Sequence, residues 1–317
     1  MRSSSDLYFK ITTMPYRHST LGTFVEANVN IHHDLDYVYI DRLGTHNKSQ
    51  DIADATIYDF AIQLFENRLK RYDALSEINL NDLVGESQLT SLDSSVDDEK
   101  YILSLIEKHC SDDLILRANT LYLDNIDLYR SSIYRKLKGL LLIREKIQNR
   151  KGNSSTSIFS GVSLIARCSD GNPRRLFRLF KHLLEDQDIE EISPEIQTKR
   201  LKAFSFSELE VIKFERGGRD AHELMQKLGN FFRNKTHVDK LGSNTPQGIK
   251  IDPNLDDAIW SHIKTAVDLG LLYPSLKRNS NVKYYFPEKE GEFFLAYCLA
   301  PYLSLIHISE PTRLTCI

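Results

Sequence analysis

Cysteine is scarce in this sequence: there are 4 among 317 residues, Cys110, Cys168, Cys298 and Cys316, with no metal-ligand spacing among them. Their scatter excludes a disulfide framework and fits a reducing compartment. Long apolar runs are missing too. No stretch approaches the roughly 18 residues of a membrane span, and the start has no signal-peptide pattern. A cytoplasmic location without a membrane partner is the expectation. Nor does one sign of charge dominate, since 41 basic residues face 44 acidic ones and the net charge is −3. Bulk basicity therefore gives no argument for nucleic acid. Hydrophobic residues make up 41% and charged residues 27%. That is ordinary for globular protein, and a chain of this length can bury cores in two or three domains.

Charge is nevertheless uneven. Residues 130–151 hold Arg130, Arg135, Lys136, Lys138, Arg144, Lys146, Arg150 and Lys151 against one acid, Glu145. A solvated helix face is the favoured reading, and a nucleic-acid footprint the alternative. "NIHHDLD" offers His32, His33, Asp34 and Asp36. Adjacent histidines on an extended segment point to opposite sides, and no distant third ligand announces itself, so no metal site is expected. Asp97, Asp98 and Glu99 sit early in an expected helix, where its dipole explains them. No Ser/His/Asp or Cys/His set carries a recognisable local signature.

Periodicity gives a mostly helical chain. "DLYFKITTMP" and "LDYVYIDRL" read as strands, and two strands alone are marginal in water, so they look like the trailing edge of a larger sheet. From Ser49 or Asp51 as N-cap, Ile57, Phe60, Ala61, Leu64, Phe65 and Leu69 recur at helical spacing. A polar loop with one short helix follows over 76–98. Helices are expected over 96–109, with Ile102, Leu105 and Ile106 inward, and over 125–148. "NRKGNSSTS" then reads as a linker. Further helices cover 158–168, 172–185, 194–214 and 219–235, and Leu176, Phe177, Phe180, Leu183 and Leu184 form the apolar stripe of the second. The last helix carries Ile259, Ile263 and Val267 and stops at Gly270. "LLYPSL" and "VKYYFP" follow as short strands around "KRNSN". A helix followed by a basic-tipped hairpin is the layout of a winged helix, or a helix packed on a hairpin for structure alone.

One helix start is unusual. In "SDGNPRRLFRLF", Asn172 is the expected N-cap and Pro173 the first helical residue. Arg174 and Arg175 then lie in the first turn, where the dipole disfavours each cation by roughly 0.3–1 kcal/mol. Such an end suits an anion, because unpaired N–H groups and arginines converge there. The competing reading has the two arginines reaching into water or pairing with Asp170.

"IFSGVSLIARCSDGNPRRLFRLF" resembles the lid of AAA+ ATPases, whose Gly-Asn-Pro-Arg helix start supplies the sensor-2 arginine. The resemblance implies that Arg174 reads the γ-phosphate of ATP, with Gly171 and Asn172 beside it. Arg175 adjoins the motif without an assigned role. "YFKITTMP" resembles the sensor-1 strand and "YVYIDRL" the last core strand. Arg17 lies between them, where the family carries its arginine finger. The order of elements is similar to origin-recognition-complex-type AAA+ ATPases and their bacterial relatives. The resemblance implies a mainly α chain: trailing strands of an AAA+ α/β core (1–48), a helical lid (49–190) and a C-terminal winged helix (191–302). It also implies DNA, self-association or another protein as partner. On the winged helix, Lys264, Lys277, Arg278 and Lys283, with His262, are the candidate DNA contacts. Asp256, Asp257 and Asp268 share its helix and are expected to repel phosphate.

The sequence departs from the family in two respects, the P-loop and the Walker-B strand. It contains no Gly-x-x-x-x-Gly-Lys-Ser/Thr loop. "GTHNKS" and "RNKTH" lack the glycine before lysine, and "VYID" is followed by Arg42 rather than a second acid. ATP and Mg2+ are thus expected in an intact parent protein and not bound tightly by this chain, which should not hydrolyse ATP. The chain is expected to be a fragment at both ends. "LSLIHISEPTR" resembles the translation of a transposon-end adapter used in sequencing libraries, so residues 303–317 are expected to be an artefact tail that removes His307 and Cys316 from consideration. The alternative is a complete, non-enzymatic winged-helix module that binds DNA or protein.

Overall fold

The computed structural model describes residues 50–71, 77–87, 89, 96–149, 157–185, 191–242, 248–274 and 289–303. The expected strands before residue 50, "VKYYFP" and the tail after 303 lie outside these residues, as do Arg17, His32, His33, Asp34, Asp36, Lys277, Arg278 and Lys283. Among the described residues the chain is mainly helical, with one small sheet. Its helices are α1 (Gln50–Leu69), α2 (Leu80–Val84), α3 (Val96–His109), α4 (Asp112–Asp124), α5 (Ile126–Tyr129), α6 (Arg135–Gln148), α7 (Val162–Cys168), α8 (Pro173–Leu184), α9 (Pro194–Val211), α10 (Gly218–His237), α11 (Asp257–Asp268) and α12 (Ala300–Leu303). The strands β1 (Ile249–Lys250), β2 (Leu272–Pro274) and β3 (Glu292–Leu295) form an antiparallel sheet in the order β1-β3-β2. Ile249 pairs with Phe293, and Leu272 with Leu295. No helix among the described residues is long and apolar enough to cross a membrane.

Local chemistry sets the ends of these helices. Ser193 caps α9 through Ile196 N–H, and Asp256 caps α11 through Ala258 N–H. α11 ends in a Schellman motif: Gly270 takes a φ of 67°, its N–H donates to Val267 C=O, and Leu271 N–H donates to Ala266 C=O. α10 follows α9 so closely that a Cβ on Gly218 would lie 1.7 Å from Ile212 O, which leaves room for glycine alone. The expected helix over 125–148 is instead α5, a π-turn at Arg130–Tyr134 and α6. α7 starts at Val162 rather than at 158.

Two apolar clusters hold the molecule together. The main one joins α1, α2, α7 to α11 and the sheet. α3 to α6 enclose a second, centred on Ile102, Ile106, Tyr129 and Leu141. The stripe on α8 is turned from expectation: Leu179 is fully buried, whereas Phe177 is 40% exposed. Ile259 on α11 is 44% exposed as well. Only Ile263 and Val267, the later two of its expected apolar positions, reach the core.

The basic stretch over 130–149 is largely structural. Arg130 bonds the buried Glu99 at 2.6 Å, and the Lys138 ammonium lies 5.3 Å from the Tyr134 ring centre. Arg144 is buried and donates to the carbonyls of Thr236, Val238 and Asp239 at 3.3, 3.2 and 2.6 Å. A cation there faces the negative end of α10 and satisfies its last carbonyls. Glu145 accepts from Lys108, His109 and Asn149 at 2.8, 2.8 and 2.5 Å. Burial opposes its charge, but these donors prevail and bring its pKa down from 4.5 to about 2. A carboxyl lowered in the folded state stabilises the fold above its unfolded value, and that contribution fades as pH falls through the folded value. Between pH 4.5 and about 2, wild type should therefore lose more stability than Glu145→Gln. Denaturant midpoints at pH 6 and pH 3 measure this, and equal falls in the two proteins would refute it.

Candidate functional site

The site lies at the turn from α7 to α8. Ser169 is fully buried, donates its hydroxyl to Ala166 C=O at 2.6 Å and accepts Gly171 N–H at 3.2 Å. Asp170 has a φ of 52°, the one positive value outside glycine among the described residues. Short polar residues visit this region at modest cost, and here the conformation lets the carboxylate point inward. Its two oxygens accept Tyr297 N–H at 2.8 Å, Cys298 N–H at 3.2 Å and Arg175 Nη1 at 2.7 Å. Gly171 follows at a φ of 69°. Asn172 Oδ1 then accepts the N–H groups of Arg174 and Arg175 at 3.0 and 3.2 Å, with Pro173 opening the helix. This cap corrects one expectation. The amides at the head of α8 are already bonded to Asn172, so an anion there would be met by side chains and the helix dipole.

The two arginines go opposite ways. Arg175 lies on the buried face with Leu176, Leu179, Phe180 and Leu183, and it is 7% exposed. Its Nε donates to Glu208 at 3.2 Å, Nη1 to Asp170 and the Tyr273 hydroxyl, and Nη2 to Gly270 C=O at 3.3 Å. Arg178 meets the other Glu208 oxygen at 2.8 Å. Two cations and two carboxylates thus form a neutral quartet. Burial alone would lower the Arg175 pKa, yet Cys298, Tyr273, Asp170 and Glu208 together hold it well above its ordinary value. Burial pushes the Asp170 carboxyl up, against the pull of Arg175 and of two backbone amides.

Arg174 is exposed, and its guanidinium has no hydrogen-bond or ion-pair partner among the described residues. Arg174 thus reaches into water and Arg175 pairs with Asp170, the two halves of the competing sequence reading. Arg174, Phe177 and Lys181 share a face of α8. Phe177 and Lys181, without Arg174, line a groove of about 340 Å3 closed on the other side by Phe65, Arg68 and Leu69 of α1. The Arg68 guanidinium stands 5.8 Å from the centre of the Phe177 ring.

On α11, Lys264 is half-buried and His262 lies 3.6 Å from Asp220. The expected repulsion from its acids is smaller than the sequence suggests. Asp268 is buried, Asp257 pairs with Lys289 at 2.5 Å and Asp256 spends an oxygen on the cap. The described residues contain no group of three His, Cys, Asp or Glu able to hold a metal ion.

Sequence reasoning did not find Glu208, Tyr273 or Arg175 as members of one cluster. The available signal was helix phase: Arg175 sits four residues before Leu179 and one before Leu176, on the face that reaches the core. Arg175→Met should destabilise the chain by about 3–5 kcal/mol, because it strands buried carboxylates. Arg174→Met should change stability by less than about 1 kcal/mol. Denaturant unfolding of both variants checks the contrast, and similar losses would contradict it.

A family model described as ORC-CDC6-like matches residues 1–313. No curated protein and no solved structure matches the chain. The family match spans the described helices, the three-stranded sheet and the capped Asn172-Pro173-Arg174 helix start alike. The chain belongs to the ORC-CDC6-like family, a group related to AAA+ ATPases of the origin-recognition type.

Proposed function

We propose that this chain supplies the lid and C-terminal unit of an AAA+-type ATPase, in which Arg174 reads the terminal phosphate of bound ATP. One observation carries the reading. Of two adjacent arginines at a helix N-terminus, Arg175 is consumed in buried pairs and Arg174 is left with its full set of donors. An exposed cation at the positive end of a helix is unfavourable alone and becomes favourable when a phosphate arrives, through forked, charge-assisted bonds. Asn172 fixes the first turn, so Arg174 starts from a defined position.

The described residues hold no group of three His, Cys, Asp or Glu able to hold a metal ion, so in this reading Mg2+ comes with the nucleotide phosphates. No P-loop occurs in the sequence to cradle the α- and β-phosphates. The proposed role of this chain is therefore phosphate reading, not turnover by these residues alone. Titration of the full chain with MgATP tests it. Arg174→Ala should weaken binding by roughly 10-fold or more, the worth of one charged hydrogen-bonding group. Binding that is equal in wild type and variant overturns the reading.

A second reading, DNA engagement through a winged helix, is supported by the β1-β3-β2 sheet with α11 leading into β2. Lys277, Arg278 and Lys283 fall in the segment joining β2 to β3, and the pairing of Asp257 with Lys289 weakens the argument from the acids of α11. A protein partner is the competing occupant of this surface. If DNA is bound, affinity for duplex should fall steeply between 50 and 200 mM salt. Binding that ignores salt would remove this reading.

A further inference from the structure

Arg175 spends its donors on three parts of the chain that are far apart in sequence. Nη1 holds Asp170 in the turn before α8 and the Tyr273 hydroxyl on β2, at 2.7 and 3.2 Å. Nη2 holds Gly270 C=O, which ends α11, and Nε holds Glu208 on α9. Asp170 extends the set by accepting the amides of Tyr297 and Cys298, just after β3. The turn that presents Arg174 is thus bonded directly to the end of α11, to β2 and to the segment that leaves the sheet. One peptide unit separates the Cα atoms of the two arginines.

We propose that Arg175 and Asp170 are positioning residues through which an anion held by Arg174 is felt at β2 and at Tyr297–Cys298. This rests on the reading of Arg174 given above. The physical argument is directional. Apolar side chains packed across the same gap could slide with little change in energy, whereas a planar guanidinium with fixed donors cannot turn without straining several bonds at once. Stability alone does not require such a set, because well-packed apolar residues of similar volume often serve as well or better than buried ion pairs. What the quartet supplies is a fixed register between the first turn of α8 and the sheet. Coupling of this kind is reciprocal: a partner that shifts β2 changes anion affinity at Arg174 by the same factor.

The test is an NMR titration of the full chain with inorganic tripolyphosphate, in wild type, Arg174→Ala and Arg175→Lys. It follows the Arg174 Nε–H resonance and the amide resonances of Leu271, Leu272, Tyr297 and Cys298. In wild type all five should shift with one midpoint. Arg174→Ala should abolish the shifts at Tyr297 and Cys298. Arg175→Lys keeps the charge and loses the fork, so it should retain the Arg174 response and lose most of the response at Tyr297 and Cys298. Tyr273→Phe serves if the lysine variant does not fold. It removes one hydroxyl, and its expected effect is loss of the response at the Leu271 and Leu272 amides with Arg174 still responding. An Arg174 response without remote shifts in wild type overturns the inference and leaves Arg174 as an anion site. Remote shifts that persist in Arg174→Ala, or intact in Arg175→Lys, overturn it too. A silent Arg174 in wild type overturns the phosphate reading and this inference together.

Discussion

A guanidinium taken out of water must have its charge and its donors satisfied nearby, and Arg175 imposes that demand on the centre of this molecule. Its position fixes where Asp170, Glu208, Tyr273 and the carbonyl of Gly270 have to be. Those groups come from the α7–α8 turn, α9, β2 and the end of α11. The left-handed backbone at Asp170 follows from the same demand, since a carboxylate aimed at Arg175 and at two amides offsets the local cost of the conformation. The apolar cluster around the quartet supplies most of the driving force for burial. The quartet ties the α7–α8 turn, α8 and α9 together, and Arg175 extends it to β2 and the end of α11.

Arginine solves opposite problems at two helix ends. Arg144 faces the C-terminus of α10, where the dipole welcomes a cation and three carbonyls need donors. Arg174 stands at the N-terminus of α8, where the dipole opposes it and no described group offsets it. The first placement stabilises the fold by itself. The second costs less than about 1 kcal/mol, and in the proposed function a phosphate turns that cost into a gain.

Much of the helical framework was legible in the sequence because its signals are local. The acids opening α3, the Asn-Pro start of α8 and the glycine ending α11 act within one turn of the helix they shape. The exposed faces were harder. Phe177 and Ile259 fit an apolar spacing, yet the true stripes of α8 and α11 are rotated away from them by what packs opposite. α4 hides its signal: Leu116 and Leu123 are exposed, and only Leu114 and Ala118 are buried. At the site, the sequence showed two adjacent arginines and one nearby acid. It could not show that Glu208 and Tyr273, remote along the chain, would claim one arginine and leave the other free.

The second apolar cluster has a consequence for how the chain finds its fold. The residues flanking α3 to α6 end side by side, since Val162 N–H donates to Gly85 C=O at 3.0 Å. The main core must therefore close over everything between them. Closing a long loose loop costs entropy before any contact repays it, and the cost grows with the logarithm of its length. A stretch that gathers around its own interior first brings its two ends together and acts as a much shorter loop. Assembly in that order would let α1 and α2 meet α7 without a long search, with α3 to α6 serving as a clasp that Leu241 and the end of α10 complete.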